Sequence, residues 1–187
     1  LRVIAGAARG RKLHPPAGNR VRPTADRVKE ALFSALASRF GSFDALDVLD
    51  LFAGSGGLGI EALSRGAATA LFVDNHQESI ALIRKNLQLT GFENSATLTL
   101  MDAQKALNRF SDQGRVFDII LVDPPYAEKE LSERILSLLA SLKLLSANGV
   151  AVFETDSRFE LSSHESFHLL SRKVYGDTAV SFFEMAE

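Results

Sequence analysis

Four carboxylates stand immediately after apolar runs: Asp50 after Val48-Leu49, Asp74 after Leu71-Phe72-Val73, Asp102 after Leu98-Thr99-Leu100-Met101, and Asp123 after Ile119-Ile120-Leu121-Val122. In an open α/β sheet, ligands lie beyond the carboxyl ends of the strands, so acids in these places would line one edge. Each alone also fits a helix cap or a turn former. Their repetition at successive strand ends makes them a candidate site.

Asp50 leads into Leu-Phe-Ala-Gly-Ser-Gly-Gly-Leu-Gly, in which Gly54, Gly56 and Gly59 fit G-x-G-x-x-G. Glycines at this spacing permit a tight turn, bring backbone close to a ligand and let the following helix pack against the strand. The loop passes directly into a helical pattern at Leu58, Ile60 and Leu63, which is the order a nucleotide-type cofactor needs, although a glycine-rich turn occurs in many α/β proteins. Asp74 follows about twenty residues on, where a carboxylate accepts from both ribose hydroxyls of an adenosine and excludes a 2′-phosphate. A dinucleotide and S-adenosylmethionine both carry adenosine. Asp50 and Asp102 favour the second, because added anions repel a pyrophosphate and suit an ammonium and a sulfonium.

Asp123-Pro124-Pro125-Tyr126 carries the sharper chemistry. Two prolines fix φ, so the Asp123 carboxylate, the Pro124 carbonyl and the Tyr126 ring can project from a strand end in one preset arrangement. Such a set fits a flat amine. A base amino group is a poor nucleophile because its lone pair is delocalised into the ring. Two acceptors gripping its hydrogens favour a pyramidal nitrogen aimed at a methyl sulfonium, while an aromatic face stacks on the extruded base. The bland alternative is a Pro-Pro turn after a core strand.

The elements that must position these groups follow from periodicity. Strands at about 47–52, 70–73, 97–100, 117–122 and 150–154 alternate with helices at about 58–64, 77–89, 103–110 and 129–142, which predicts a parallel doubly wound sheet covered on both faces. The segments 168–175 and 178–183 flank Gly176-Asp177 and read as an antiparallel hairpin. Before the sheet, 1–6 and 10–13 read as short strands, and 15–19 as a loop. A helix capped by Thr24, with Asp26 in its first turn, runs on to about Gly41. We expect one domain over 1–187, comprising a basic extension at 1–23 and a catalytic core at 24–187.

Composition narrows the class. The 187 residues include no cysteine, which removes disulfides, thiolate metal sites and a cysteine nucleophile together, and no metal site is expected. With neither a long apolar span nor a leader pattern, the expectation is a soluble cytoplasmic protein, a monomer without membrane association. Net charge is −2, yet the first thirty residues hold eight Lys or Arg against Asp26 and Glu30, which leaves the remainder acidic. A basic arm on an acidic body points to a polyanion. A solvated, mobile N-terminus would carry the same charge.

Over nearly its full length the chain resembles S-adenosylmethionine-dependent methyltransferases of the Rossmann-like class, and specifically the bacterial guanine-N2 methyltransferases of small-subunit ribosomal RNA (RsmD family). Arg2-Val-Ile-Ala-Gly, Arg9-Gly-Arg-Lys-Leu, Arg22-Pro-Thr-Ala-Asp-Arg-Val-Lys-Glu, the run from Asp50 to Ala67, and Asp123-Pro-Pro-Tyr carry the resemblance. It implies a mostly parallel sheet with a C-terminal antiparallel hairpin and a small basic N-terminal β extension. It also implies that Asp50, Phe52, Gly54, Ser55, Gly56 and Gly59 hold the methionine end of the cofactor, Asp74 its ribose, and Asp102 its adenine amino group with Ala103 beside it. Asp123, Pro124, Pro125 and Tyr126 would hold the guanine. Arg9, Arg11, Lys12, Arg20 and Arg22 would meet RNA, as free ribosomal RNA or within a small-subunit assembly intermediate. Thr24 and Arg22, at the helix entrance, would close the cofactor pocket or touch RNA.

Rival readings differ in testable ways. A nicotinamide dehydrogenase lacks support, since His14, His76, His164 and His168 are scattered and no hydride-transfer constellation stands out. Adenine-N6 methylation of RNA or DNA stays open, because the motif grips an exocyclic amine and not one ring. A catalytically silent RNA-binding module on the same fold also stays open.

Overall fold

The computed structural model describes residues 1–16, 26–124, 129–162 and 164–186. Its elements are α1 (Asp26–Phe40), β1 (Asp47–Leu51), α2 (Gly57–Ser64), β2 (Thr69–Asp74), α3 (Gln77–Thr90), β3 (Ala96–Leu100), α4 (Ala103–Asp112), β4 (Phe117–Val122), α5 (Lys129–Leu142), β5 (Leu145–Asp156), β6 (Phe167–Tyr175) and β7 (Thr178–Met185). The strands form one seven-stranded sheet in the order β3-β2-β1-β4-β5-β7-β6. Pairs from β3 through β5 are parallel, whereas β7 runs antiparallel to both β5 and β6.

The central strands are near-continuous apolar runs because both of their faces are covered. Val48, Ala70, Phe72, Ile119 and Leu121 face Leu32, Phe33 and Leu36 of α1, Ile60 of α2, and Ile80, Ile83 and Leu87 of α3. The alternate residues Leu49, Leu51, Leu71, Val73, Ile120 and Val122 face Ala106, Leu107 and Phe110 of α4 and Ile135, Leu136 and Leu139 of α5. Successive side chains of a strand point to opposite faces, so the same runs build both cores. The doubly wound sheet and the C-terminal hairpin agree with the sequence expectation. Among the described residues no helix is long and apolar enough to cross a membrane.

The start of the chain departs from it. Residues 1–6 and 10–13 do not form strands; they meet in a single antiparallel bridge between Arg2 and Lys12. The bridge is made by the Val3 N–H bond to the Arg11 carbonyl and the Leu13 N–H bond to the Leu1 carbonyl, and one further bond, from Gly10 N–H to the Val3 carbonyl, closes the loop. Extended pairing stops because Gly6 turns through φ 82° to lie on α2. A Cβ at Gly6 would stand 1.7 Å from the Ser64 carbonyl oxygen, which instead accepts the Ala7 N–H at 2.7 Å. β5 also exceeds its expected 150–154, starting at Leu145 across a register irregularity opposite Phe117 and Ile119. The Thr24 cap and the loop from Ala17 lie outside the described residues.

This extension is bound through buried polar groups. Glu61, fully buried on α2, accepts from the N–H of Ile4 at 2.8 Å, the N–H of Ala5 at 3.1 Å and Arg65 Nε at 2.8 Å. Lys29 of α1, 1% exposed, lies 3.5 Å from Glu61 Oε2 and donates to the Arg2 carbonyl. Burial lowers the Lys29 pKa, against the raising pull of Glu61 and then Asp26. Ser64 accepts from Ala8 N–H and donates to the Ala5 carbonyl. The first sixteen residues therefore sit on the body as an ordered extension, and Lys29 is withdrawn from the basic surface its position in the sequence suggests.

Breaking a buried ion pair from one side strands the partner charge, typically at about 3–5 kcal/mol. Glu61→Ala should therefore lower the unfolding free energy, measured by urea denaturation, by an amount in that range, and adding Lys29→Met should recover much of it. A loss below about 1 kcal/mol in the single variant would mean that water, and not the protein, satisfies Lys29.

Candidate active site

β1 and β4 lie side by side, and the chain leaves them toward opposite faces, through α2 and α5. A crevice at such a reversal is where open α/β sheets bind ligands. Leu51 pairs with Val73 on one side and Val122 on the other. The strand ends there, and Phe52 is the first residue beyond it. Phe52 has φ 68°, an unusual conformation for a residue with a side chain, held by the Ala53 N–H bond to the Val73 carbonyl at 2.9 Å. The strain aims the chain out of β1 into the glycine loop.

Two of the strand-end carboxylates hold that loop. Asp50 is buried, 2% exposed, and its Oδ2 accepts the Gly59 N–H at 2.8 Å. The bond requires α2 to lie very close to the sheet. A Cβ at Gly59 would stand 2.3 Å from Phe72 Cε1 and 3.1 Å from Asp50 Oδ2, so only glycine fits there without displacement. Asp74 accepts the Gly54 N–H through Oδ2 at 2.9 Å and the His76 N–H through Oδ1 at 2.9 Å, with His76 Nδ1 at 3.2 Å from Oδ1. A carboxylate has about four acceptor sites, so Asp74 retains capacity for a ligand hydroxyl. Loop and acids form one hydrogen-bonded unit.

Burial pushes the Asp50 pKa up to about 7, with the Gly59 N–H opposing the rise and the Asp74 charge adding to it. A cation placed beside Asp50 would stabilise its ionised form. A pyrophosphate would not.

The other predicted residues are placed unevenly. Asp102 is exposed and caps α4, accepting from the N–H groups of Gln104 and Lys105, both at 3.1 Å. This is the capping role its position allowed, and its second oxygen is not needed for it. Ala103, next along, is buried. Asp123 is half-buried at the end of β4 and Pro124 is buried, whereas Pro125, Tyr126, Thr24, Arg20 and Arg22 lie outside the described residues. Arg9, Arg11 and Lys12 are exposed on the N-terminal extension. Gly54, Ser55 and Gly56 form the turn between β1 and α2, closed by the Gly56 N–H bond to the Ala53 carbonyl at 2.7 Å. The structure thus brings Asp50, Asp74 and the glycine loop into one hydrogen-bonded unit, with Asp123 following the neighbouring strand β4. A shallow groove of about 480 Å³ between α4 and α5, lined by Gln104, Glu130, Glu133 and Arg134, contains none of the strand-end acids.

Sequence reasoning missed the polar groups behind the loop. From sequence alone Glu61 reads as a packing or capping residue and Lys29 as part of a basic face, while Asn86 and Ser64 do not stand out. All four are buried. The available signal was a polar residue on the apolar stripe of a helix: Asn86 falls on the face of Ile80, Ile83 and Leu87, and Lys29 on that of Leu32, Phe33 and Leu36.

The family model described as conserved hypothetical protein 95 matches residues 1–184. A ribosomal RNA small subunit methyltransferase D from Escherichia coli (strain K12) is 34% identical over 185 residues, covering 98% of this chain and 89% of that protein. Its namesake from Haemophilus influenzae is 33% identical over 184 residues, covering 98% and 93%. Among solved structures, a hypothetical protein of Thermus thermophilus superimposes with a TM-score of 0.84 at 31% identity, covering 97% of this chain and 98% of that one.

The raised Asp50 pKa has a measurable consequence for stability. The folded chain holds a proton that the unfolded chain releases above the ordinary value of 3.8, so this contribution is complete below 3.8 and is lost as pH rises to about 7. Asn at this position still accepts the Gly59 N–H but never ionises. Relative to wild type, Asp50→Asn should gain in unfolding free energy across that window and then run parallel above it, at up to roughly 1.4 kcal/mol per pH unit. Parallel curves throughout would show that Asp50 is ionised in the fold.

Proposed function

The chain belongs to the conserved hypothetical protein 95 family, and on that premise we propose that it is an S-adenosylmethionine-dependent methyltransferase acting on ribosomal RNA. Its acceptor, in this reading, is the exocyclic N2 amine of a guanine in the small-subunit RNA, met as free RNA or in an assembly intermediate. The chain would act as a cytoplasmic monomer with one catalytic domain. The observation that carries the reading is the acid-held glycine loop: Asp50, one residue before the end of β1, and Asp74, at the end of β2, each accept a loop N–H, and Asp123 follows the neighbouring strand β4. An acceptor-rich site of this kind suits an ammonium and a sulfonium, and opposes a pyrophosphate. The names of the Escherichia coli and Haemophilus influenzae relatives support ribosomal RNA of the small subunit as substrate.

S-adenosylmethionine supplies an electrophilic methyl group on a sulfonium. The residues of the chain then do the binding and positioning. Asp50 and the loop from Gly54 to Gly59, with Phe52 and Ser55, would take the methionine end, and Asp74 would accept from the ribose hydroxyls with its remaining lone pairs. Asp102 and Ala103, one strand further out, would take the adenine. At the end of β4, the Asp123 carboxylate and the Pro124 carbonyl would accept the two amine hydrogens and hold the nitrogen lone pair toward the methyl, with Tyr126 stacked on the base. Arg9, Arg11 and Lys12, with Arg20 and Arg22, would neutralise phosphates and orient the RNA without reading its sequence. Thr24 and Arg22 would close the cofactor pocket or touch RNA.

Transfer of labelled methyl to unmodified small ribosomal subunits, naked ribosomal RNA and DNA in parallel, followed by nucleoside analysis, tests the reading. Label in N2-methylguanosine is expected; label in N6-methyladenine would move the assignment to the adenine reaction. Cofactor binding with no transfer to any acceptor would favour the silent module. Asp123→Ala should reduce transfer by at least about a hundredfold with cofactor affinity little changed, the size expected when a group acting on the transition state is removed. Asp74→Ala should weaken cofactor binding first. Unchanged turnover in the Asp123 variant would overturn the mechanism.

A further inference from the structure

Asn86 of α3 is fully buried, and its amide spans two segments far apart in sequence. Its Oδ1 accepts the His14 N–H at 2.8 Å, and its Nδ2 donates to the His14 carbonyl at 3.1 Å and to the Ser55 carbonyl at 2.9 Å. Both Nδ2 partners can only accept and the Oδ1 partner can only donate, so the amide has one orientation. His14 lies near the end of the described extension, whose exposed side chains include Arg9, Arg11 and Lys12. Ser55 sits in the middle of the glycine loop. The two segments touch elsewhere as well, since Leu1 Cδ1 lies 3.3 Å from where a Cβ at Gly57 would stand. One turn earlier on α3, Ile83 packs against Gly56, with its Cγ2 3.2 Å from a Cβ built there.

We propose that Asn86 is a positioning residue that joins the basic extension to the glycine loop, so that filling the cofactor pocket further restrains the extension that meets RNA, and RNA tightens the cofactor. The inference rests on the reading above, in which the loop holds the cofactor and the extension meets RNA. Nδ2 holds the Ser55 carbonyl and with it the middle of the glycine loop. A ligand that fixes the loop also fixes the amide, and the amide holds both backbone groups of His14. A second ligand arriving at an already ordered extension loses less conformational freedom on binding, which is positive cooperativity. Linkage makes the effect equal in both directions.

Asn86→Ala removes all three bonds. Ser64→Ala is the control, because Ser64 anchors the same extension at Ala5 and Ala8 without touching the loop. The first readout needs no RNA: hydrogen exchange of the His14 and Leu13 amides with and without S-adenosylhomocysteine. Wild type and Ser64→Ala should slow by several-fold on binding, and Asn86→Ala should not respond. No response in wild type, or an equal response in Asn86→Ala, overturns the proposal, and the wild-type experiment decides even where the variant fails to fold. The second readout is S-adenosylhomocysteine affinity with and without unmodified small ribosomal subunits. Wild type should bind about tenfold tighter with subunits present, within the usual range of coupling, and Asn86→Ala less than twofold tighter. Equal loss of coupling in Ser64→Ala would reduce Asn86 to an ordinary anchor and overturn the assignment. Failure of wild type to bind subunits would refute the RNA reading, whereas the exchange result would still decide what Asn86 does.

Discussion

The approach of α2 to the sheet at Gly59 is the constraint on which the candidate site depends. With only a hydrogen between the helix backbone and the Phe72 ring, the first turn of α2 comes near enough for the Gly59 N–H to reach Asp50. That bond fixes where the glycine loop ends, and Asp74 fixes where it begins through Gly54. Residues two apart on a helix point about 200° apart. Gly59 turned toward the sheet therefore sends Glu61 away from it, into the N-terminal extension and α1. One buried helix of eight residues builds the crevice on one side and anchors the basic surface on the other.

Glu61 illustrates what a buried charge can do that an apolar residue cannot. A buried ion pair gains little net stability over a well-packed apolar replacement, because desolvation offsets the Coulomb attraction. Its content here is geometric. Two backbone N–H groups of the extension, the Arg65 guanidinium and the Lys29 ammonium converge on one carboxylate from three directions. Arg65 in turn lies over the Phe33 ring at 5.0 Å. Apolar side chains at these places would bury comparable area but would leave the Ile4 and Ala5 amides without acceptors and the extension free to slide. The network thus specifies the register of the extension on the body.

The fold was legible because its signal is periodic. Apolar runs in β1, β2 and β4, and apolar stripes in α3 and α5, marked nearly every element of the doubly wound sheet, and Gly176-Asp177 marked the final hairpin. The strand-end acids were legible as a set because the sheet rule tells where to look. The short strands assigned to the extension reduce to one bridge, since their conformation is set by contacts with Ser64 and Glu61, some sixty residues away, and not by their own alternation. Asn86 and Lys29 stayed hidden for a related reason: a polar residue on an apolar stripe has meaning only when its partners are known, and those partners are largely backbone atoms, which sequence does not distinguish.

The strand-end acids are also less alike than their spacing suggests. Asp50 and Asp74 each direct one oxygen to a loop N–H, so each is part of the architecture before any ligand arrives. A carboxylate pinned through one oxygen presents its remaining lone pairs in a fixed direction, which is the pre-organisation a binding site needs. The same pinning means that replacing either acid alters the loop as well as the contact. Asp102 is bound to the helix it caps and shapes no part of the loop. Asp123 differs again, since it follows a central strand, half-buried, and precedes the buried Pro124. The glycine loop and the end of β4 are therefore separate parts of one edge, and their spacing is set by the pairing of β1 with β4.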